Sequence, residues 1–163
     1  MEDAGITVFF ESGSLIGVSI DEGNVDLING LESRFDLPNL IGLIDWDMVT
    51  PFRRLVFETL LANVPRGSLV TYGELASAVG SPNSARAVGS ALSSNPWPLV
   101  VPCHRVVRSN GHIGPYSAGK GIPTKRRLLI EEGVKIDSEF CFDQKNLTKI
   151  AREPRDATIQ MKI

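Results

Sequence analysis

The octapeptide Val100-Val101-Pro102-Cys103-His104-Arg105-Val106-Val107 constrains this chain more than any other stretch. Apolar, β-branched flanks at that density belong in an interior. A cysteine, a histidine and an arginine buried side by side cost free energy unless the fold supplies each with a partner. The fold must therefore enclose this segment and bring polar groups to it. Cys141 is the second of the two cysteines and could in principle pair with Cys103. In a reducing compartment, however, an isolated Cys-His is more often reactive or simply buried than bridged, and no CxxC or HxxxH spacing suggests a metal. Neither a metal nor a cofactor is expected.

The flanking sequence provides the elements. At 163 residues and 42% hydrophobic, the chain can bury a core in one domain or two small ones. Ile6–Phe10 and Leu15–Ile20 on either side of Ser12-Gly13-Ser14 read as a β-hairpin. Thr50-Pro51 opens a helix as N-cap and first residue, with Phe52, Leu55, Val56, Leu60 and Val64 on its apolar face and Pro65-Arg66-Gly67 as its stop. Thr71-Tyr72-Gly73-Glu74 has the capping-box form and starts a helix that Gly80 ends. Ser81-Pro82 starts another, with Ala87, Val88, Ala91 and Leu92 on one face and Ala85, Arg86, Gly89, Ser90 and Ser93 on the other. Two short helices around a tight glycine turn make a helix-turn-helix pattern, although an ordinary amphipathic pair has the same appearance.

The expected fold class is α+β, with a small β-rich N-terminal subdomain (1–49) followed by a mostly helical domain (50–133). Residues 134–163 are expected to form an appended element or a loosely held tail. No apolar run is long enough to span a membrane, and the acidic Met1-Glu2-Asp3 start is unlike a targeting peptide, so a cytoplasmic (in a eukaryote, nuclear) monomer is expected.

Charge is segregated along the chain. Residues 1–50 hold ten acidic side chains and one basic, whereas residues 75–130 hold seven basic and no acidic ones. A basic stretch of this length is an electrostatic footprint for a polyanion, unless the charges cluster by chance. The outward face of residues 82–93 is nearly bare, with one arginine. That suits close approach to a groove and lacks the Asn, Gln or multiple Arg that hydrogen-bonded base readout requires.

From Thr50 to Gly133 the ordered motifs TPF, TYGELA, ARAVG, NP, VPCHRVV, GPYSAG and LLIEEG resemble those of the O6-alkylguanine-DNA alkyltransferases. The resemblance implies irreversible, single-turnover transfer of an alkyl group from O6-alkylguanine, and from O4-alkylthymine, in duplex DNA to Cys103. A soft thiolate is the side chain suited to attack at an alkyl carbon. The resemblance further makes His104, acting through a water, the base and Glu132 its orienting carboxylate. Taken alone, His104 would pass for a core histidine and Glu132 for an exposed residue near a helix end. Tyr72 would donate to guanine N3, Ser117 and the Tyr116-Ser117 backbone to O6, and the Val106 and Cys103 carbonyls would accept from the exocyclic amine. Pro98 and Gly114 complete the substrate set, and Asn95 resembles a hinge joining recognition helix to active-site loop.

Because O6 lies inside the stacked duplex, the nucleotide must be turned out. Arg86 would fill the gap while Ala85, Gly89, Thr71 and Ser109 contact DNA. Arg105 is expected to brace the loop through carbonyls or a carboxylate. Ser90, Pro115, Ala118 and the Lys120–Pro123 segment depart from common family sequences, and the short N-terminal part has no cysteine or histidine, so the zinc site of some relatives is not expected. Three rivals stand beside this reading: a lesion-binding sensor of the same fold lacking the cysteine, a Cys-His hydrolase, and a helix-turn-helix regulator.

Overall fold

The computed structural model describes residues 5–21 and 36–150, and the expectations for 1–4, 22–35 and 151–163 lie outside them. Strands β1 (Ile6–Glu11) and β2 (Ser14–Ile20) form the antiparallel hairpin, with Glu11 facing Ser14 and Ile6 facing Ile20. Ser12 (φ 50°) and Gly13 (φ 82°) both adopt left-handed conformations, matching the two-residue turn whose twist suits a hairpin. The register slips between Phe9, opposite Gly17, and Phe10, opposite Leu15. Ile16 is therefore an extra residue, which allows Leu15 and Val18, three apart, both to face the core.

Helix α1 (Leu37–Gly42) and a short 3-10 turn lead into α2 (Pro51–Asn63). The Thr50 hydroxyl accepts from Arg53 N at 3.3 Å, and Pro51 begins the helix as its sequence requires. Val56, Phe57 and Leu60 are buried along it, with Val64 just beyond. Leu55, expected on the apolar face, is 45% exposed. The buried stripe centres on Val56, Leu60 and Val64, which puts Leu55 on the far side and lets Phe57 take its place.

The two-residue strand β3 (Val70–Thr71) runs into α3 (Tyr72–Ala78), where the Thr71 hydroxyl accepts from Glu74 N at 3.1 Å. A Schellman end stops α3: Ser81 N donates to Ala76 O and Gly80 N to Ser77 O, with Gly80 at φ 83°. Helix α4 (Ala85–Ser93) starts later than Ser81-Pro82 because Ser81 is used in that cap and Ser84 N turns back to Ser81 O. Val88, Ala91 and Leu92 are buried, whereas Ala87 is exposed at the margin of the stripe.

A 3-10 turn (Cys103–Arg105) precedes β4 (Val106–Val107), which pairs in parallel with β3 through Val70–Val106 and Thr71–Val107. Helix α5 (Ile122–Glu131) ends with Gly133 at φ 89°, Val134 N donating to Leu129 O and Gly133 N to Ile130 O. Glu132 is thereby fixed as its C-cap residue.

The main core unites the hairpin (Ile6, Leu15, Val18) with α2, α3, α4, Trp97 and the valines around Cys103. A second cluster joins Leu69, Val107, Ile113 and Leu129 to Val134, Ile136 and Phe142. Residues 134–150 are thus a packed element and no loose tail, tied to the residue preceding β3 by Leu69 N to Asn146 O (2.8 Å) and Thr148 N to Leu69 O (2.7 Å). No helix among the described residues is long and apolar enough to cross a membrane.

The hairpin bears directly on the central segment. Val18 N donates to Pro96 O at 2.9 Å, and the fully buried Trp97 indole donates to Leu15 O at 3.0 Å while packing edge-on to Trp46 and Phe57. Trp97→Phe keeps most of the ring burial and loses this bond, so it should cost ~1–2 kcal/mol in urea unfolding. Phe10→Ser, at a site 46% exposed, should change stability by less than ~0.5 kcal/mol.

Candidate active site

Three residues per turn is the geometry of a 3-10 helix, so Cys103, His104 and Arg105 point in three directions from one turn. The turn is held by Cys103 N to Val101 O (2.8 Å) and Arg105 N to Pro102 O (3.0 Å). Asn95 fixes its approach: the amide nitrogen donates to Val101 O at 3.0 Å and the amide oxygen accepts from Trp97 N at 2.9 Å. This side chain thus joins the end of α4 to the Cys103 loop.

His104 points inward, only 1% exposed, with Nε2 2.6 Å from Glu132 Oε1. Arg105 forks onto the same carboxylate, Nε to Oε2 at 2.9 Å and Nη2 to Oε1 at 2.9 Å, and its Nη1 donates to Val64 O at 3.0 Å. Gly67 N adds a fourth donor to Glu132 at 3.3 Å. Burial alone would push the Glu132 carboxyl up, but the bonds and charges of His104 and Arg105 outweigh it and bring it down to about 2. Glu132 is therefore an acceptor, and Nε2 must carry the histidine proton. That leaves Nδ1 with its lone pair, buried and without a hydrogen-bond partner among the described residues. Burial also holds His104 below the ordinary imidazole value, against the pull of Glu132.

Cys103 lies at the wall of a cavity of about 450 Å³ that Tyr72, Ala85, Arg86, Gly89, Tyr116 and Ser117 also line. This is within the range of small-molecule sites. Burial raises the thiol, while the Asn95 amide and the Lys125 charge pull it back. Tyr72 is pushed up to about 12 by burial and the nearby Cys103, partly countered by Arg108, so it keeps its proton as a donor. The Tyr116 hydroxyl is buried beside Cys103, raised by burial first and then by that sulfur, and makes no hydrogen bond of ordinary geometry.

Other expected site residues stand outside the cavity lining. Pro98 faces a separate polar groove with Asn95 and Ser117. Val106 is buried with its carbonyl accepting from Lys125, Thr71 caps α3, and Ser109 is exposed after β4. Gly114, at φ 81°, backs onto Tyr72; an added Cβ would lie 3.6 Å from the Tyr72 hydroxyl. Among the described residues no three His, Cys, Asp or Glu side chains gather as a metal site.

Two residues at the site escaped the sequence reading. Lys125 is fully buried in α5, its ammonium donating to Val106 O at 2.6 Å and Pro115 O at 3.1 Å, 5.9 Å from the Tyr72 ring centre. Burial lowers it to about 7, opposed by Cys103 and assisted by Arg108. Arg108 also lines the cavity. The uniformly basic stretch is less available than its composition suggests. Arg105 and Lys125 are committed as described, Arg126 donates to Ile136 and Asp137 carbonyls, and Arg127 pairs with Glu131.

Two outcomes follow for stability. Glu132→Gln leaves Arg105 without its counter-charge and should cost ~3 kcal/mol, or roughly 10 °C in Tm. The unaltered carboxylate's contribution is complete above its ordinary 4.5 and is lost as pH falls toward 2. The variant should therefore show a flatter acid limb. For Lys125, the unfolded chain binds the extra proton between pH 7 and 10.5, so stability should rise with pH from 7 until the Cys103 thiol opposes it near 9. Lys125→Met should flatten that rise in denaturant titrations.

The 6-O-methylguanine DNA methyltransferase, DNA binding domain, model matches residues 51–134. A Thermococcus kodakarensis methylated-DNA–protein-cysteine methyltransferase is 49% identical over 105 residues, covering 64% of this chain and 58% of the relative. The chain spans 58% of the length of this and two further archaeal relatives. Among solved structures, the O6-methylguanine-DNA methyltransferase of Pyrococcus kodakaraensis superposes with a TM-score of 0.62 at 31% identity, over 79% of this chain and 98% of that one. Mycobacterium tuberculosis OGT crystallised with DNA gives 0.58 at 29% identity, over 78% and 86%. With its α+β fold shared and its central motifs within the matched span, this chain belongs to the methylated-DNA–protein-cysteine methyltransferase family.

Proposed function

We propose that this chain repairs duplex DNA by moving the alkyl group of O6-alkylguanine, and of O4-alkylthymine, onto Cys103, once per molecule. The observation that carries the reading is a cysteine on the wall of a base-sized cavity, beside a histidine whose inner nitrogen is held by Glu132 and whose other nitrogen is open. The thiol proton passes through a water to His104 Nδ1. The sulfur bonds to the alkyl carbon, and the carbon–O6 bond breaks with its electron pair left on guanine. Ser117 and the Tyr116-Ser117 backbone hydrogen-bond to O6 and stabilise the guanine anion, Tyr72 passes its proton to N3, and the proton held on His104 returns through water to restore Tyr72. The Cys103 carbonyl, and the Val106 carbonyl with the lone pair that Lys125 leaves free, accept from the guanine exocyclic amine, Gly114 acts by backing Tyr72, and Pro98 meets the substrate from the adjoining groove that shares Ser117.

In this reading α4 enters the minor groove with Ala85 and Gly89 close to DNA, Arg86 replaces the extruded nucleotide, and Thr71 and Ser109 contact the backbone. Residues 50–133 carry the chemistry, 1–49 support it, and 134–163 extend it. The monomer works wherever DNA is, in cytoplasm or nucleus. Cys103 speaks against a lesion sensor lacking the nucleophile. The exposed α4 face, poor in base-reading side chains, speaks against a sequence-specific regulator.

Because water does not displace a thioether at useful rates, intact-protein mass spectrometry after mixing with methylguanine DNA should show one added methyl group on Cys103, a plateau at one equivalent, and none on Cys103→Ala. Repeated turnover would overturn the reading in favour of a hydrolase. Unstacking costs a few kcal/mol, so Arg86→Ala should slow transfer from duplex about tenfold and transfer from free methylguanine hardly at all. Equal slowing on both would assign Arg86 to the pocket.

A further inference from the structure

Of the basic side chains between residues 75 and 130, Arg86 and Arg108 both line the Cys103 cavity, and the alkyltransferase reading gives a task only to Arg86. Arg108 is exposed, immediately after β4. Among the described residues its guanidinium makes no hydrogen bond or ion pair, and the chain from 75 to 130 offers no carboxylate to it.

Its placement is nevertheless fixed. Arg108 N donates to His112 O at 3.1 Å, His112 N to Asn110 Oδ1 at 3.1 Å, and Gly114 N to His112 Nδ1 at 2.9 Å, so the loop that carries it is closed on itself. Gly114 leaves room for its stem: a Cβ there would stand 3.3 Å from Arg108 Cγ and 3.6 Å from the Tyr72 ring. One glycine thus seats both the arginine and the tyrosine that faces the cavity. A guanidinium held at a cavity wall without an internal partner is built for an external anion, and its planar fork matches a phosphate.

We propose that Arg108 binds a phosphate of the nucleotide whose base enters the Cys103 cavity, and so positions that base for transfer. The proposal rests on the alkyltransferase reading and adds to it a second arginine with a different task. Arg86 acts on the stack, which exists only in duplex DNA, whereas Arg108 acts on the backbone, which single strands share.

The test pairs a protein change with a substrate change. Single-stranded methylguanine oligonucleotides are prepared with each phosphate flanking the lesion replaced, one at a time, by a neutral methylphosphonate, and single-turnover transfer to Cys103 is timed. The unaltered protein should lose about tenfold at one of these phosphates. Arg108→Ala should be slowed by a similar factor on the ordinary oligonucleotide and lose nothing more at that phosphate. Arg108→Lys, which keeps the charge and gives up the fork, should recover part of the rate and part of the sensitivity. Arg108→Ala losing the same factor as the unaltered protein at every neutralised phosphate would overturn the assignment, as would an unaltered protein indifferent to all of them. An arginine reading the base edge would produce the first of these results. No transfer from any methylguanine substrate by the unaltered protein would overturn the alkyltransferase reading itself, and this assignment with it.

Discussion

Four donors converge on the carboxylate of Glu132, at a helix end where the backbone dipole disfavours negative charge. Arg105 compensates: its fork neutralises the carboxylate, and its remaining amine ties the cluster to Val64 at the end of α2. Gly67 brings in the turn before β3, and His104 brings in the 3-10 turn that presents Cys103. The orientation of Cys103 toward its cavity therefore depends on one buried ionic cluster joining α2, α5 and the active-site turn. A buried pair contributes less as net stability than as geometry, since either charge alone in that interior is strongly unfavourable.

The same burial favours an uncharged Cys103 thiol and an uncharged His104 imidazole at rest. Burial raises the thiol and lowers the imidazole, so proton transfer between them is uphill until something stabilises the separated charges. Lys125 is suited to that task. Its ammonium is held by two carbonyls, its charge is felt at Cys103, and a value of about 7 puts its protonation under the control of its surroundings. A thiolate forming nearby would favour the protonated lysine. Because an un-ionised thiol resists oxidation and off-target alkylation, a protein with one usable cysteine gains from keeping it in that state.

Local chemistry was the most readable part of the sequence. Thr50-Pro51, Thr71-Tyr72-Gly73-Glu74, Ser12-Gly13 and Gly80 each specify a cap or turn through interactions a few residues long, and each forms where its residues require. Facing was harder to read. Leu55 and Ala87 fit an apolar pattern yet are exposed, and Phe57, which that pattern leaves out, is buried, because the neighbouring elements decide which edge of a stripe is covered. The valines around Cys103 announced burial, but the destination of His104 and Arg105 could not be derived from spacing, since Glu132 lies far along the chain. Resemblance supplied the His104 partner, whereas the fork from Arg105 to that carboxylate emerged from the fold. Lys125 stayed hidden because a lysine between Thr124 and Arg126 on an amphipathic helix reads as solvent-facing.

Which nitrogen of His104 carries the proton decides whether Cys103 has a base. Nitrogen-15 NMR of labelled protein reads this directly, with a His112→Asn variant assigning the two imidazoles. At neutral pH and above, His104 should be uncharged, with a protonated Nε2 and an unprotonated Nδ1, since burial holds its pKa below the ordinary imidazole value and Glu132 remains an acceptor there. A proton on Nδ1, or an imidazolium at neutral pH, would contradict the account, because His104 would then have no lone pair to offer the Cys103 thiol.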